Sequence, residues 1–180
     1  MRRIDSFSGK YNFLSNMYQR TFFEHGIMYK SVEHYFQSHK TVDARERDKI
    51  RCAKTPIESK RLGRKCRLRS HWEFIKDAMM EEAIRLKFKS EDLKAKLIAT
   101  YPCELVEGNY WGDTYWGVCN GIGQNKSGML LMKIRDEFVS LQNESKNIEV
   151  IRVASDNIDE MVDIIEPFNR QKRYEDVEKQ

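Results

Sequence analysis

The sequence predicts an α+β fold that is mainly helical, with short strands near its amino terminus. Three observations support this prediction. Aromatic residues cluster around a turn in the first 30 positions, several helix-start signals precede apolar residues at helical spacing, and a glycine-rich loop precedes a further amphipathic helix. At 180 residues, the chain has the length of one domain with a sizeable core.

The strands are expected at the start of the chain. Aromatic and apolar runs flank the segment Glu24-His25-Gly26, which is typical of a tight turn. The two runs are therefore predicted to pair as a hairpin.

Four short segments carry helix-start signals. Ser31 can cap a helix that begins at Val32. The segment 55–58 (Thr-Pro-Ile-Glu) combines a capping box with proline at the first helical position, and the segment 70–73 (Ser-His-Trp-Glu) is a second capping box. Ser90 can cap a further short helix.

The main body is expected to end near residue 142. Its last helix carries apolar residues on one face, namely Leu130, Ile134, Phe138 and Leu141. After a polar segment, residues 148–153 are predicted to form a strand, and acidic residues then open a helix. We therefore predict one domain over residues 1–142 and an appended acidic strand-helix element over residues 143–180.

Composition argues against several classes of protein. No apolar run approaches the roughly 20 residues that span a bilayer, and no apolar segment follows the basic start, so neither a membrane partner nor a signal peptide is expected. The four cysteines form no CxxC element, and the four histidines have no metal-ligand spacing. These features predict reduced thiols, a cytoplasmic location and no bound metal.

The basic residues are concentrated between Arg45 and Arg69. This stretch contains 11 lysines and arginines against three acidic residues, a local net charge of +8 within a chain whose total is +4. Such a stretch can face phosphates, or it can be an ordinary solvated surface.

One helical face and one loop carry the strongest candidates for chemistry. Glu33, Gln37 and Lys40 lie at positions i, i+4 and i+7, so they form either the polar wall of a pocket or an exposed face. The segment 107–117 combines glycines, two tryptophans and two carboxylates. It can place a carboxylate beside a developing oxocarbenium ion, or Asp113 can simply cap backbone amides.

Taken in order, these motifs resemble the NADAR (YbiA-like) family over residues 5 to 141. The matching stretches are Tyr11–Asn16, Tyr29–Gln37, Leu62–Arg64, His71–Trp72, Leu105–Asn109, Trp111–Asp113, Trp116–Gly117, Gly123–Asn125 and Leu131–Arg135.

The resemblance implies N-glycosidase chemistry that uses neither a metal nor a cofactor. The implied substrate is a ribose-phosphate N-glycoside. The first expectation is ADP-ribose linked to guanine, including guanine in ADP-ribosylated DNA. Early riboflavin-pathway intermediates are the alternative, and a non-catalytic module that binds NAD or ADP-ribose is the third reading.

The resemblance also assigns roles to particular residues. The catalytic residues that it implies are Glu33, Trp72 and Asp113. The substrate contacts that it implies are Phe13, Asn16, Gln37, Lys40, Arg64, Trp111, Trp116 and Asn125. Trp72 begins an apolar helical stripe, so core packing is its other reading. The segment 109–111 departs from the family pattern, which bears on substrate choice more than on reaction class.

Overall fold

A computed structural model describes residues 2–149. Contacts within the chain divide it into two units, Met1–Phe138 and Val139–Gln180. The first unit contains β1 (Arg3–Ile4), a 3-10 helix (Gly9–Leu14), β2 (Phe22–Glu24), β3 (Ile27–Tyr29), α1 (Val32–Ser38), α2 (Ala44–Arg51), α3 (Pro56–Gly63), α4 (Trp72–Lys87), α5 (Glu91–Ile98), β4 (Glu104–Leu105), β5 (Gly108–Asn109), β6 (Val118–Cys119) and a last helix, α6, over residues 126–138. The predicted mainly helical α+β fold is confirmed.

The predicted hairpin is formed by β2 and β3. The two strands pair antiparallel, with Phe22 opposite Tyr29. His25 and Gly26 form the two-residue connection, and both have positive φ angles, 46° and 78°. Turns of this kind match the twist of the strands that they join.

Two short parallel pairs join distant parts of the chain. β1 pairs with β4, which places Arg3 opposite Glu104, and β5 pairs with β6, which places Gly108 opposite Val118. The segment that follows α5 is therefore attached to the amino-terminal strand.

Of the four predicted helix caps, two are confirmed and one is wrong, while Ser90 stands at the N-cap position of α5 without a capping hydrogen bond from its side chain. Ser31 Oγ accepts a hydrogen bond from His34 N, and Thr55 Oγ1 accepts one from Glu58 N, with Pro56 in the first turn. The capping box predicted at Ser70 does not form. His71 adopts a left-handed conformation and α4 begins one residue later, so Ser70 lies outside the helix.

Helix α1 lies at the centre of the first unit, with α2, α3 and α4 packed around it. All seven of its residues are buried. An ordinary surface helix buries only one stripe, so the polar residues of α1 must be accommodated inside the fold. This excludes the reading of Glu33 and Gln37 as an exposed face.

In the second unit, residues 139–149 are helical. The strand predicted over residues 148–153 begins in residues that are helical, and its remainder lies outside the described residues, as does the predicted acidic helix. In the part of the chain that the structure describes, no helix is long and apolar enough to cross a membrane.

Candidate active site

A cleft of about 820 Å³ opens between α1, α3 and the segment that precedes β6. Three carboxylates line it: Glu33, Glu107 and Asp113. Three cationic side chains also line it: Lys40, Lys60 and Arg64. Acidic groups and cations thus share one concave surface.

Glu33 projects into this cleft from α1 and is only 5% exposed. Its Oε1 accepts a hydrogen bond from Gln37 Nε2 at 2.8 Å. Burial raises the pKa of Glu33, while the charge of Lys60, the hydrogen bond from Gln37, and the charges of Lys40 and Arg64 lower it. The carboxylate is therefore desolvated but retains partners that favour its charged form.

Gln37 is itself fixed by the close approach of α3. A β-carbon added to Gly63 would lie 2.9 Å from Gln37 Cβ and would overlap the amide oxygen of that side chain. Only glycine at position 63 leaves room for Gln37 in its present conformation. The match of Leu62–Arg64 to the family thus has a packing reason.

Asp113 is held by the loop that precedes β6. Its Oδ1 accepts hydrogen bonds from Tyr115 N at 3.2 Å and Trp116 N at 2.9 Å. Asn109 binds the backbone of Asp113 through both of its side-chain atoms, at 2.7 and 3.0 Å. Asp113 does cap backbone amides, as one reading expected, and it lines the cleft as well.

Glu107 is a lining residue that our assignment from the sequence omitted. Its backbone N donates to Asn125 Oδ1 at 3.0 Å. Burial raises the pKa of Glu107 to about 7; the neighbouring Ser127 hydroxyl lowers it, and Asp113 and Glu33 raise it. Among residues 2–149, its Oε2 is buried without a hydrogen-bond partner. The resemblance included Glu107, but its spacing gave no sign of its burial.

The cations differ in their degree of burial. Burial lowers the pKa of Lys40, whereas Glu33 raises it, and the Lys40 ammonium lies 5.5 Å from the centre of the Phe36 ring. Arg64 is exposed at the edge of the cleft, and Lys60 is half-buried. Lys60 is a second lining residue that our assignment omitted, because within a basic stretch no spacing singles it out.

Aromatic residues form two parts of the cleft. Trp116 contacts Phe36 edge to face, with ring centroids 5.3 Å apart, and both line the cleft. Trp111 also lines it but is 56% exposed. Trp72 is buried behind Phe36, with centroids 5.1 Å apart, and does not line the cleft. In this structure Trp72 supports the wall, so direct contact with a substrate stays a prediction.

The remaining predicted contacts divide in the same way. Asn16 and Gln37 line the cleft, but Phe13 and Asn125 do not. Phe13 is buried in the hydrophobic core. The Asn125 amide joins Leu105 O and Glu107 N, so it positions the backbone that carries Glu107. Asn125 therefore supports the site through the backbone of Glu107, and direct contact of Phe13 or Asn125 with a substrate stays a prediction.

The histidines and cysteines provide no metal site in the described part of the chain. Over residues 2–149, no group of three His, Cys, Asp or Glu side chains could hold a metal ion. His34 binds Ser31 and Ala53 O, and His39 binds Tyr35 O, inside the fold. Both are structural residues.

Comparison with known proteins identifies the family. The NADAR domain matches residues 5–139. N-glycosidase YbiA of Shigella flexneri serotype 5b is 38% identical over 137 residues, which cover 74% of this chain and 85% of that protein. A riboflavin biosynthesis protein of Vibrio vulnificus is 33% identical over 132 residues, covering 71% of this chain and 36% of that protein.

The fold leads to the same family. The NMR structure of Escherichia coli YbiA superimposes with a TM-score of 0.71 and 35% identity, covering 80% of this chain and 90% of that one. The chain therefore belongs to the NADAR domain family and, by its similarity to N-glycosidase YbiA, to the N-glycosidases among the hydrolases.

Proposed function

We propose that this protein hydrolyses the N-glycosidic bond of a ribose-phosphate N-glycoside. One observation carries the proposal: the buried carboxylate Glu33 shares a single cleft with a second, firmly held carboxylate, Asp113, and with three cations. Cleavage of an N-glycosidic bond develops positive charge at the anomeric carbon, which a fixed carboxylate stabilises. The cations suit the phosphate of the same substrate.

The surroundings of the two carboxylates suggest different roles. Asp113 Oδ1 already accepts two backbone N–H groups, which hold the side chain in one orientation. We assign it to stabilise the developing charge or to bind a ribose hydroxyl. Burial raises the pKa of Glu33, which makes it the better base, so we assign it to take a proton from the attacking water.

The substrate that we favour is ADP-ribose linked to guanine. Ligand clefts commonly enclose about 300–1,000 Å³, and this one, at about 820 Å³, lies in the upper part of that range. Lys40, Lys60 and Arg64 supply more positive charge than one phosphate requires. A large, doubly phosphorylated substrate uses both features.

Riboflavin-pathway intermediates are the second candidate, because the V. vulnificus relative is a riboflavin biosynthesis protein. Such a substrate carries one phosphate and fills less of the cleft. Its hydrolysis would use the same carboxylates, so the two candidates share the reaction class.

A panel of N-glycosides, followed by mass spectrometry with the full-length protein, tests these proposals. Release of guanine from ADP-ribosylated guanosine is the expected result. Loss of pyrimidine ribose-phosphate intermediates alone would replace the favoured substrate with the second candidate. Tight binding of ADP-ribose without turnover of any compound would overturn the proposed hydrolysis and leave a binding module.

A further inference from the structure

We propose that Glu107 is the catalytic acid that protonates the departing nitrogen of the substrate. This inference rests on the proposed N-glycosidase function and deepens it. Glu107 lies in the cleft with Glu33 and Asp113, but its environment differs from theirs in the feature that decides which carboxylate holds a proton.

That feature is the supply of hydrogen-bond donors. Glu33 receives the Gln37 amide, and Asp113 receives two backbone N–H groups. Donors stabilise the charged form of a carboxylate. Glu107 Oε2, by contrast, is buried without a hydrogen-bond partner among residues 2–149, and the neighbouring Ser127 Oγ, which can lower the pKa of Glu107, is likewise buried and unpaired there. A buried carboxylate oxygen without donors is most stable when it carries the proton itself.

The charged groups around Glu107 come from every neighbouring element. They are Glu33 of α1, Lys60 of α3, Lys87 of α4 and Asp113 of the loop, with the Ser127 hydroxyl of α6 beside them. Glu33 and Asp113 favour the protonated form of Glu107, and Lys60 and Lys87 oppose it. Burial is the largest effect and raises the pKa of Glu107 to about 7, so the group can give and regain a proton at neutral pH.

Lys87 opposes the protonated form of Glu107 only weakly, because Lys87 is itself buried. Its side chain is 1% exposed, its Nζ donates to Ser15 O at 2.8 Å, and burial lowers its pKa to about 7. A lysine that is partly neutral at pH 7 stabilises a neighbouring anion less than a fully charged one does. Glu107 can therefore remain protonated beside it.

The proposed step balances as follows. The bond between the anomeric carbon and nitrogen breaks, its electron pair goes to nitrogen, and the Glu107 carboxyl proton moves to that nitrogen. Water adds to the anomeric carbon and gives a proton to the Glu33 carboxylate. Exchange with solvent then returns Glu33 to its anion and Glu107 to its acid, so the net reaction consumes one water.

Acid assistance matters only for some leaving groups. When the leaving group is an amine, or an amide-like nitrogen of a base, it departs as an unstable anion unless the nitrogen is protonated. The nicotinamide of a nicotinamide riboside phosphate leaves as a neutral molecule and needs no proton. Comparing the two types of substrate therefore isolates the role of Glu107.

The test uses Glu107→Gln in the full-length protein, with circular dichroism to verify folding. For an N-glycoside whose leaving nitrogen needs a proton (the amine glycoside), we expect turnover to fall by about 10²–10⁴. For nicotinamide riboside phosphate, the factor by which turnover falls should be at least ten times smaller. Asp113→Asn is the matched control. It should slow both substrates alike, because both develop charge at the anomeric carbon.

The pH profile gives a second, independent measurement. With wild-type protein, kcat for the amine glycoside should decrease as pH rises through about 7, where Glu107 loses its proton. This decrease should be absent in Glu107→Gln. Equal losses on both substrates, or an unchanged alkaline limb in the variant, would overturn the assignment of Glu107. A wild-type protein that cleaves no N-glycoside would instead refute the proposed function.

Discussion

The two walls of the cleft are built in different ways. The helical wall, α1, is buried on all sides, and its Glu33 is 5% exposed. The loop wall, residues 107–117, is held by hydrogen bonds within the loop and to the segment that follows it, and its Trp111 is 56% exposed. Tightly packed positions keep one geometry, whereas exposed loops tolerate change.

This difference suggests a division of labour. The reaction depends on a desolvated carboxylate, which a packed helix can provide. Recognition of the base or sugar can depend on the exposed part of the loop, residues 110–112. We therefore expect changes at Glu33 and at the loop carboxylates Glu107 and Asp113 to lower kcat, and changes at the exposed loop residue Trp111 to raise KM.

Among the variants other than Glu107→Gln, the largest effect is expected for Glu33→Gln. The substitution removes the charge but keeps the shape and one hydrogen-bonding oxygen, so the fold should persist. Turnover should fall by about 10²–10³, the usual loss for one preorganised electrostatic contribution. Steady-state assays measure the effect. Glu91→Gln, whose side chain is 84% exposed, is the matched control. A folded Glu33→Gln protein with the wild-type rate would refute its catalytic role.

Gly63→Ala should have the next largest effect, because it disturbs the helical wall without touching Glu33. The new methyl group overlaps Gln37, so that side chain must move and release Glu33 Oε1. We expect a loss of about 1–3 kcal/mol in the free energy of unfolding and a lower kcat.

Urea denaturation and kinetics measure these two effects. In the double variant Gly63→Ala/Gln37→Ala the overlap with the amide group is removed and only the 2.9 Å approach of the two β-carbons remains, so part of the stability should return while activity stays low. Recovery of full activity in the double variant would show that the hydrogen bond from Gln37 to Glu33 is dispensable.

Trp111→Ala tests the loop wall. Stacking of a base on an aromatic side chain contributes about 1–3 kcal/mol to binding. Because Trp111 is largely exposed, we expect its contribution to lie at the low end of this range. KM should rise about fivefold, with kcat changed less than twofold. Tyr110→Ala is the control, because Tyr110 is 90% exposed and does not line the cleft. A fall in kcat with unchanged KM would remove the distinction between the two walls.

Changes to basic residues outside both walls should have the smallest effect on hydrolysis of a free N-glycoside. Arg45, Arg47, Lys65, Arg67 and Arg69 do not line the cleft, and a hydrogen bond from Arg67 N to Glu46 Oε2 brings the two parts of this basic stretch together. We propose that the five side chains recruit ADP-ribosylated DNA. Neutralising all five should leave hydrolysis of a free N-glycoside unchanged.

On ADP-ribosylated DNA, the same variant should bind more weakly and with less dependence on salt. Each lost phosphate contact lowers the slope of log affinity against log salt by about 0.9 for duplex DNA. Binding titrations at several salt concentrations measure this slope. No change on either substrate would make the stretch an ordinary solvated surface, and equal losses on both would assign it to the cleft or the fold.

The sequence predicted the helical wall better than the loop wall. The spacing of Glu33 and Gln37 is a local property of a helix, and it does place the two side chains in contact. Their burial was not predictable, because it depends on α2, α3 and α4 packing around α1. Asp113 was identified in the loop, but its partners Tyr115 and Trp116 follow from the loop's conformation.

The differences between the sequence predictions and the structure have the same cause. Glu107 is not among the predicted site residues, because its place in the cleft and the charges that act on it, including those of Glu33 and Lys87, come from parts of the chain that are distant in sequence. A tryptophan beside a cleft and one behind its first layer have the same sequence pattern, so contact of Trp72 with the substrate stays a prediction. The capping box at Ser70 failed because the left-handed conformation of His71 starts the helix one residue later.

The parallel pairing of β1 with β4 also bears on the order in which the protein can be assembled. Arg3 and Glu104 are neighbours in the fold, although a hundred residues separate them in the chain. Closing so long a loop is entropically costly, and non-local pairing slows folding. On the ribosome, α1 can form soon after it emerges. Its Glu33 cannot face Glu107 and Asp113, however, until the segment beyond α5 has been synthesised, so an active cleft is a late product of translation.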